Sequence, residues 1–223
     1  KKVSIKNTSF NVLISGMDSY GTINKTTRND VNMIATVNPN TNKVLLTSIP
    51  RDYYVQLHGK TGYKDKLTHA GIYGINTVVQ TIEDLFGIDI NYYVRVNFTT
   101  VESLVNTIGP IEIYSDKAMS LDGCKYVVGT NTVNGKCALR FARERHSYVE
   151  GDNHRIKNQQ EVIKGIFNKL SKSAMVVTDY TSILDSLDGK FATNMDMKDI
   201  TAFIKYELED ITKYEILDTQ VTG

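Results

Sequence analysis

Two groups of charged residues in this 223-residue chain have the types and spacing to grip a phosphate. The first gathers around three short apolar runs. Asp18 follows the run Phe10–Gly16 after one residue, Arg28-Asn29-Asp30 precedes Val31–Val37, and Arg51-Asp52 follows Lys43–Ile49 across Pro50. Arginine offers planar, bidentate hydrogen bonds to phosphate oxygens. Paired carboxylates, completed by phosphate oxygens, suit a hard cation such as Mg2+. The second group is Arg140-Phe141-Ala142-Arg143-Glu144-Arg145, followed by Arg155 and Gln159. Arg155 and Gln159 stand four residues apart on a predicted helix, so both project to one side. The start of that helix is an anion site in its own right. The same residues also read as a turn former, surface ion pairs and a solvated basic patch, and spacing alone leaves those readings open.

For the first group to converge, its strands must be neighbours. Phe10–Gly16 is rich in β-formers and closed by glycine, and Val31–Val37 and Lys43–Ile49 are two further strands joined by a turn at Asn38–Asn42. If the three lie side by side, the end of the first and the start of the second share one edge. The third then runs parallel to the first and delivers Arg51 to that edge, where Pro50 ends it.

Downstream, apolar residues recur at helical spacing from His69 to Phe86, through Ile72, Ile75, Val78, Val79, Ile82 and Leu85, and Gly87 closes the helix. Tyr92–Asn97 and Ile111–Tyr114 read as strands. Between them Thr99-x-x-Glu102 opens a helix that stops at Gly109-Pro110. A long helix spans about Asp152 to Ser171, with Ile156, Ile163, Phe167 and Leu170 on one face. Shorter helices are expected at Thr178–Leu187 and Asp196–Leu208, the latter with Asn194 as a nearby cap, and a last strand at Tyr214–Thr219. Strands alternating with helices predict a single α/β domain over residues 1–223, a central mixed sheet covered by helices on both faces.

Composition narrows the function classes. Hydrophobic residues at 41% and charged residues at 23% describe an ordinary globular chain. A net charge of +1 gives no footprint for general nucleic-acid binding, so no nucleic-acid partner is expected. No apolar run approaches the roughly 18 residues of a membrane span, and there is no signal-peptide core. The chain opens on Lys1-Lys2-Val3, and an anchor upstream of it is the expectation. Cys124 and Cys137 flank Lys125–Lys136, whose Gly, Asn and Thr content reads as an irregular loop. A disulfide there would close a short ring and contribute ~3 kcal/mol on the chain-entropy model; two unrelated buried thiols fit as well. His58, His69, His146 and His154 are scattered, without zinc-site spacing.

Together these segments resemble the LytR-CpsA-Psr family of cell-wall glycopolymer ligases. The matching residues are Gly16-x-Asp18, Arg28-x-Asp30, Ser48-Ile49-Pro50-Arg51-Asp52 and Lys66-Leu67-x-x-Ala70. They continue with Gly135-x-x-Ala138-Leu139-x-Phe141-Ala142-Arg143-x-Arg145, then Gly151-Asp152-x-x-Arg155 and Gln159-Gln160. The resemblance covers roughly Phe10 to Leu170.

It implies an extracytoplasmic catalytic domain on the outer face of a Gram-positive cell membrane, held by an N-terminal anchor. The implied reaction moves a glycopolymer with one phosphate from an undecaprenyl pyrophosphate carrier to a peptidoglycan sugar hydroxyl. By the same resemblance Asp18 and Asp30 hold Mg2+ (or Mn2+), and Arg28, Arg51, Arg143, Arg145 and Arg155 surround the pyrophosphate with Gln159 in support. Asp18, Asp30, Arg51 and Arg143 are the implied catalytic set, and Asp18, Asp30 and Asp52 all stand as acceptors for the attacking hydroxyl's proton. The lipid tail needs an apolar groove, for which the Ile72–Ile82 stripe is one wall if it is not simply core. A lipid pyrophosphatase and a non-catalytic module binding lipid pyrophosphate or cell-wall polymer are the alternatives. The paired carboxylates favour the ligase over the module, because anion binding alone has no use for them.

Overall fold

The computed structural model describes residues 3–173, 178–205 and 214–222. In chain order the elements begin with β1 (Phe10–Met17), β2 (Val31–Asn38), β3 (Lys43–Ser48), β4 (Tyr54–Gln56) and β5 (Lys64–Lys66). A 3-10 turn (Leu67–Tyr73), α1 (Ile75–Phe86), β6 (Tyr92–Asn97), α2 (Phe98–Ile108), β7 (Ile111–Ser115) and β8 (Met119–Leu121) follow. Then come β9 (Cys124–Tyr126), β10 (Gly129–Val133), α3 (Gly135–Arg143) and α4 (Asp152–Lys172). The last are α5 (Tyr180–Ser186), β11 (Ala192–Thr193), α6 (Met197–Phe203) and β12 (Glu215–Gln220). They form two compact units, residues 1–99 with 189–223, and residues 100–188.

The first unit is built on a sheet ordered β11-β6-β1-β2-β3-β12. β1 and β2 pair antiparallel, as do β2 and β3, whereas β6 joins β1 and β12 joins β3 in parallel. The sheet is mixed and the class is α/β. Side chains alternate across the sheet. Leu13 and its partner Ile34 face α1, whose Val78 and Ile82 complete a core with Leu67 and Ala70. On the opposite face Phe10 meets Phe203 of α6 edge to face, with centroids 6.4 Å apart, and Tyr92 at 6.0 Å. Helices therefore cover both faces of this sheet. Val78 and Ile82 are fully buried in the core, whereas Ile72 is 48% exposed. The helical stripe read in the sequence splits into a 3-10 turn and α1, with Gly74 between them.

In the second unit β10 pairs antiparallel with β7, and β8 with β9. The expected irregular loop after Cys124 is thus largely strand. Asn131 turns inward where an apolar residue would stand, and its amide takes up Val127 and Gly129 backbone groups, so composition alone suggested coil. Cys124 and Cys137 form a disulfide that ties β9 to the first turn of α3. Beside it the Tyr126 hydroxyl donates to the Cys137 carbonyl, and burial pushes that phenol up to about 12.

Two helix boundaries differ from expectation. α2 begins at Phe98, so Thr99 lies inside its first turn, and the Thr99 hydroxyl accepts the Gly21 N–H. α6 is capped by Asp196, in a capping box with Asp199. Asn194 instead accepts the Tyr93 N–H and donates to the Asn91 carbonyl. The expected extension of that helix through residues 206–208 lies outside the described residues. α4 runs as expected, but its buried face carries Arg155, Asn158 and Val162, while Ile163, Phe167 and Leu170 are half-buried. Among the described residues, no helix is long and apolar enough to cross a membrane.

Candidate active site

The sheet register places the first charged group. Gly16, near the end of β1, pairs with Val31 at the start of β2, so Asp18 and Asp30 leave the same edge. β3 runs antiparallel to β2 and ends on that edge, two residues before Pro50-Arg51. A Cβ at Gly16 would sit 2.9 Å from the Val31 Cβ, so glycine lets the two strand ends close here.

Arg51 Nη1 donates to Asp30 Oδ1 at 2.8 Å, with the Asp30 side chain 11% exposed. The Thr68 hydroxyl reaches the same oxygen at 3.4 Å. The neighbouring pair Arg51–Asp52 forms, but it is not the shortest contact of either residue. Arg51 pairs with Asp30, while Asp52 is held by Lys66 at 2.9 Å and lies 3.8 Å from Arg51 Nε. Asp52 braces the turn after β3. Arg28 and Asp18 are exposed.

What fixes this edge is a set of neutral contacts that sequence reading missed. Asn29, buried between Arg28 and Asp30, accepts the Gly71 N–H at 2.8 Å through its side chain. Its own N–H donates to the Thr68 carbonyl, and Thr68 donates to the Arg51 carbonyl. The turn at Leu67–Tyr73 thus laces the Arg28–Asp30 loop to Arg51. At Gly71 a Cβ would come 2.7 Å from the Asn29 nitrogen, so the approach requires glycine. Arg95, buried on β6, reaches the Lys25 carbonyl at 2.7 Å and pins the loop that follows Asp18. Burial pulls its guanidinium below the ordinary value, against the opposing phenol of Tyr93.

In the second unit, α3 ends in Arg143, which is exposed. Arg140 on the same helix is occupied structurally, with Asp122 at 2.5 Å and Glu144 at 2.8 Å. Glu144 is 2% exposed and also accepts the Ser147 N–H at 2.7 Å. Burial would raise its carboxyl, but the Ser147 N–H and the Arg140 guanidinium outweigh that and hold it below the usual value.

Arg145 is exposed, 3.9 Å from Asp152. Arg155 is 7% exposed and forms an ion pair with Asp152 at 3.1 Å, with its Nε lacking a hydrogen bond among the described residues. Gln159 is half-buried, one turn further along α4. Asp152 in the first turn already complements the helix dipole, so the anion site expected there is shared with a carboxylate. His154, read in the sequence only as one of four scattered histidines, stacks on Tyr148 at 3.4 Å and faces Asp116 at 3.3 Å, fixing the turn between Arg145 and Arg155. A cleft of about 510 Å³ in this unit is lined by Glu112, Gly165, Lys169 and Lys172 and holds none of the predicted site residues.

Among the described residues no cluster of three His, Cys, Asp or Glu side chains is arranged to hold a metal ion by itself. The Asp18–Asp30 edge still fits Mg2+. The two groups are hard oxygen donors on one edge, every hydrogen bond described for Asp30 uses Oδ1, and Mg2+ characteristically takes one or two carboxylates plus phosphate oxygens.

The whole chain, residues 1–223, matches the model of the LytR_cpsA_psr family. A polyisoprenyl-teichoic acid–peptidoglycan teichoic acid transferase, TagU, of Enterococcus faecalis is 34% identical over 86% of this chain and 63% of its own length. The TagU of Bacillus subtilis is 34% identical over 98% of this chain and 72% of its own length. Among solved structures, TagT bound to LIIa-WTA superposes with a TM-score of 0.79 at 27% identity, covering 100% of this chain and 82% of that one. This chain spans less than two thirds of the Enterococcus relative. With its sheet edge, its two arginine groups and a match along its full length, the chain belongs to the LytR_cpsA_psr family.

Proposed function

We propose that this chain is a phosphotransferase that moves a teichoic acid, or a related glycopolymer, from a polyisoprenyl pyrophosphate carrier to peptidoglycan. The observation that carries this reading is the Arg51–Asp30 pair, held beside Asp18 at one sheet edge by the Asn29–Gly71–Thr68 lacing. The relatives' names supply the substrate class. On this reading the reaction takes place at the extracytoplasmic face of the membrane, where the cell wall is assembled.

In the reaction an acceptor sugar hydroxyl attacks the phosphorus next to the glycopolymer. A new P–O bond forms to the sugar, the P–O bond of the pyrophosphate bridge breaks, and the polyisoprenyl phosphate leaves. The hydroxyl proton passes to a base. Catalysis of such a transfer is mainly positioning and charge neutralisation. Arg51 presents its fork in a direction set by Asp30, and exposed Arg28 adds charge on the same loop. In the second unit Arg143 and Arg145 are exposed cations, and α4 carries buried Arg155 with half-buried Gln159 one turn on. Asp18 and Asp30 are the residues that would hold Mg2+, which when bound neutralises phosphate oxygens. Asp18, Asp30 and Asp52 remain the proton acceptors to distinguish, with Asp30 ion-paired to Arg51 and Asp52 to Lys66.

The test is retention and turnover of the carrier. Extraction of the purified protein, read by mass spectrometry, is expected to release a polyprenyl phosphate or pyrophosphate. Arg51→Ala and Arg143→Ala are each expected to lose donor turnover. Wild-type turnover in either variant removes that residue from the site.

A further inference from the structure

The first unit carries a group of tyrosines that the transfer chemistry does not use. Tyr54, Tyr63 and Tyr73 are 67%, 53% and 49% exposed. Scattered exposed aromatics are ordinary, but a contiguous patch marks an interaction surface. These three belong to one built substructure. Tyr54 lies on β4 opposite Lys66 of β5, and Tyr63 directly precedes β5. Tyr63 donates its backbone N–H to the Lys60 carbonyl at 3.0 Å, and the Lys60 ammonium stands 4.2 Å above the Tyr73 ring. The Tyr63 phenol is pushed up, chiefly by the Asp65 carboxylate and then by burial, with the Tyr73 and Tyr54 phenols adding to the shift.

The group is also pre-organised. The Gln56 amide reaches the carbonyls of Leu57, Lys60 and Tyr63, closing the connection between β4 and β5 around one side chain. Leu57 anchors that connection fully buried in the core. Rings held in place before a ligand arrives lose little entropy on binding.

We propose that Tyr54, Tyr63 and Tyr73 form a stacking surface for the sugar rings of a peptidoglycan glycan strand, the acceptor of the transfer proposed above. This rests on that reading for the identity of the glycan. A tyrosine ring offers an apolar face with a hydrogen-bonding hydroxyl at its rim. A pyranose ring offers the complement, a C–H face bordered by hydroxyl and acetamido groups. The chain has 13 tyrosines and no tryptophan, so tyrosine is its polar-tipped stacking residue.

Position is the second argument. Tyr54 is three residues from Arg51, a reach of at most ~10 Å along the chain. The contacts Tyr54–Lys66, Lys66–Asp52 and Asp52–Arg51 connect the patch to the phosphate edge. A sugar strand on these rings would bring its hydroxyls to the phosphorus held at Arg51. Charge is the third. Lys60 stands over Tyr73, Asp65 accepts from the Tyr63 hydroxyl and Asp52 pairs with Lys66, a border of both signs that suits a sugar polymer better than an anionic bilayer.

The experiment titrates the protein with soluble peptidoglycan glycan strands, without donor. Parallel arms use phosphatidylglycerol vesicles and a polyprenyl pyrophosphate. The Tyr54→Ala/Tyr63→Ala double variant is expected to weaken glycan binding about tenfold, as loss of two stacking contacts of ~0.5–1.5 kcal/mol implies. Polyprenyl pyrophosphate binding should stay as in the wild type. Tyr63→Phe and Tyr73→Phe, which keep the ring, should retain most of the glycan affinity. Unchanged glycan affinity in the double variant overturns the proposal. So does a loss confined to the vesicle arm, which would make the patch a membrane contact. Because the glycan arm needs no donor, intact glycan binding in a protein that fails to transfer would sink the ligase reading and leave this surface standing.

Discussion

Arg51→Lys keeps a positive charge at the sheet edge but gives up the planar fork that reaches Asp30 and a phosphate oxygen together. Transfer is expected to fall about 10²–10³-fold, the usual cost of one oriented donor at a developing charge. Thermal unfolding should barely change, because a partly exposed ion pair contributes only ~0–1 kcal/mol; an equal loss of both would mark Arg51 as a structural brace. Glu144 gives a pH-dependent prediction. Its carboxyl is held below the usual value, so its stabilising effect is complete above the unfolded pKa of roughly 4.3 and is lost as pH falls through the folded value. Acid unfolding followed in wild type and Glu144→Gln should show a shallower pH slope below pH ~4.5 in the variant. At this scale the sequence revealed which residue types gather, but not their partners. Arg28-Asn29-Asp30 and Arg51-Asp52 invite nearest-neighbour pairing, and Arg51 does reach Asp52 at 3.8 Å, but its shorter ion pair is with Asp30. Asn29, the neutral residue between two charged ones, locks the loop, and no charge pattern announces it.

At the scale of elements, strand ends and the disulfide carry the testable content. Gly16→Ala would force β1 and β2 apart beside Asp18 and is expected to cost ~1–3 kcal/mol by overpacking. Denaturant unfolding measures that, and a neutral effect would mean the strand ends close without needing glycine. Cys137→Ser opens a ring of 13 residues' separation and should destabilise the second unit by about 3 kcal/mol on the chain-entropy model. Chemical unfolding with and without reductant would give the wild type the same loss. The apolar runs that became β1, β2 and β3 were legible because buried strands are near-continuous in hydrophobic residues. The strand β10 was not, since its inward Asn131 is satisfied by backbone groups and carries no hydrophobic signal. The buried face of α4 was read only in part for the same reason, with Ile156 buried as expected. Arg155 and Asn158 lie on it, and hydrophobic periodicity overlooks polar residues that are buried through hydrogen bonds and ion pairs.

Across the whole molecule, family membership and chemistry meet in the metal dependence and in the transfer itself. Chelation is expected to abolish turnover and Mg2+ to restore it, with Asp18→Ala and Asp30→Ala each raising the Mg2+ concentration needed for half-maximal rate. Full activity in chelator would remove the cation from the account. The α/β class and the shared edge of Asp18, Asp30 and Arg51 were within reach of the sequence, because three short strands with turn signals allow few arrangements. The division into two compact units was not, since the chain enters residues 100–188 through α2 with no linker composition to mark it. The central claim is transfer rather than hydrolysis or binding. Its direct test incubates the protein with a defined polyisoprenyl pyrophosphate-linked glycopolymer, Mg2+ and peptidoglycan, and reads the products by mass. The account predicts a glycopolymer joined to peptidoglycan through one phosphate, with polyisoprenyl phosphate released. Donor cleavage that leaves free glycopolymer and no joined product would contradict it.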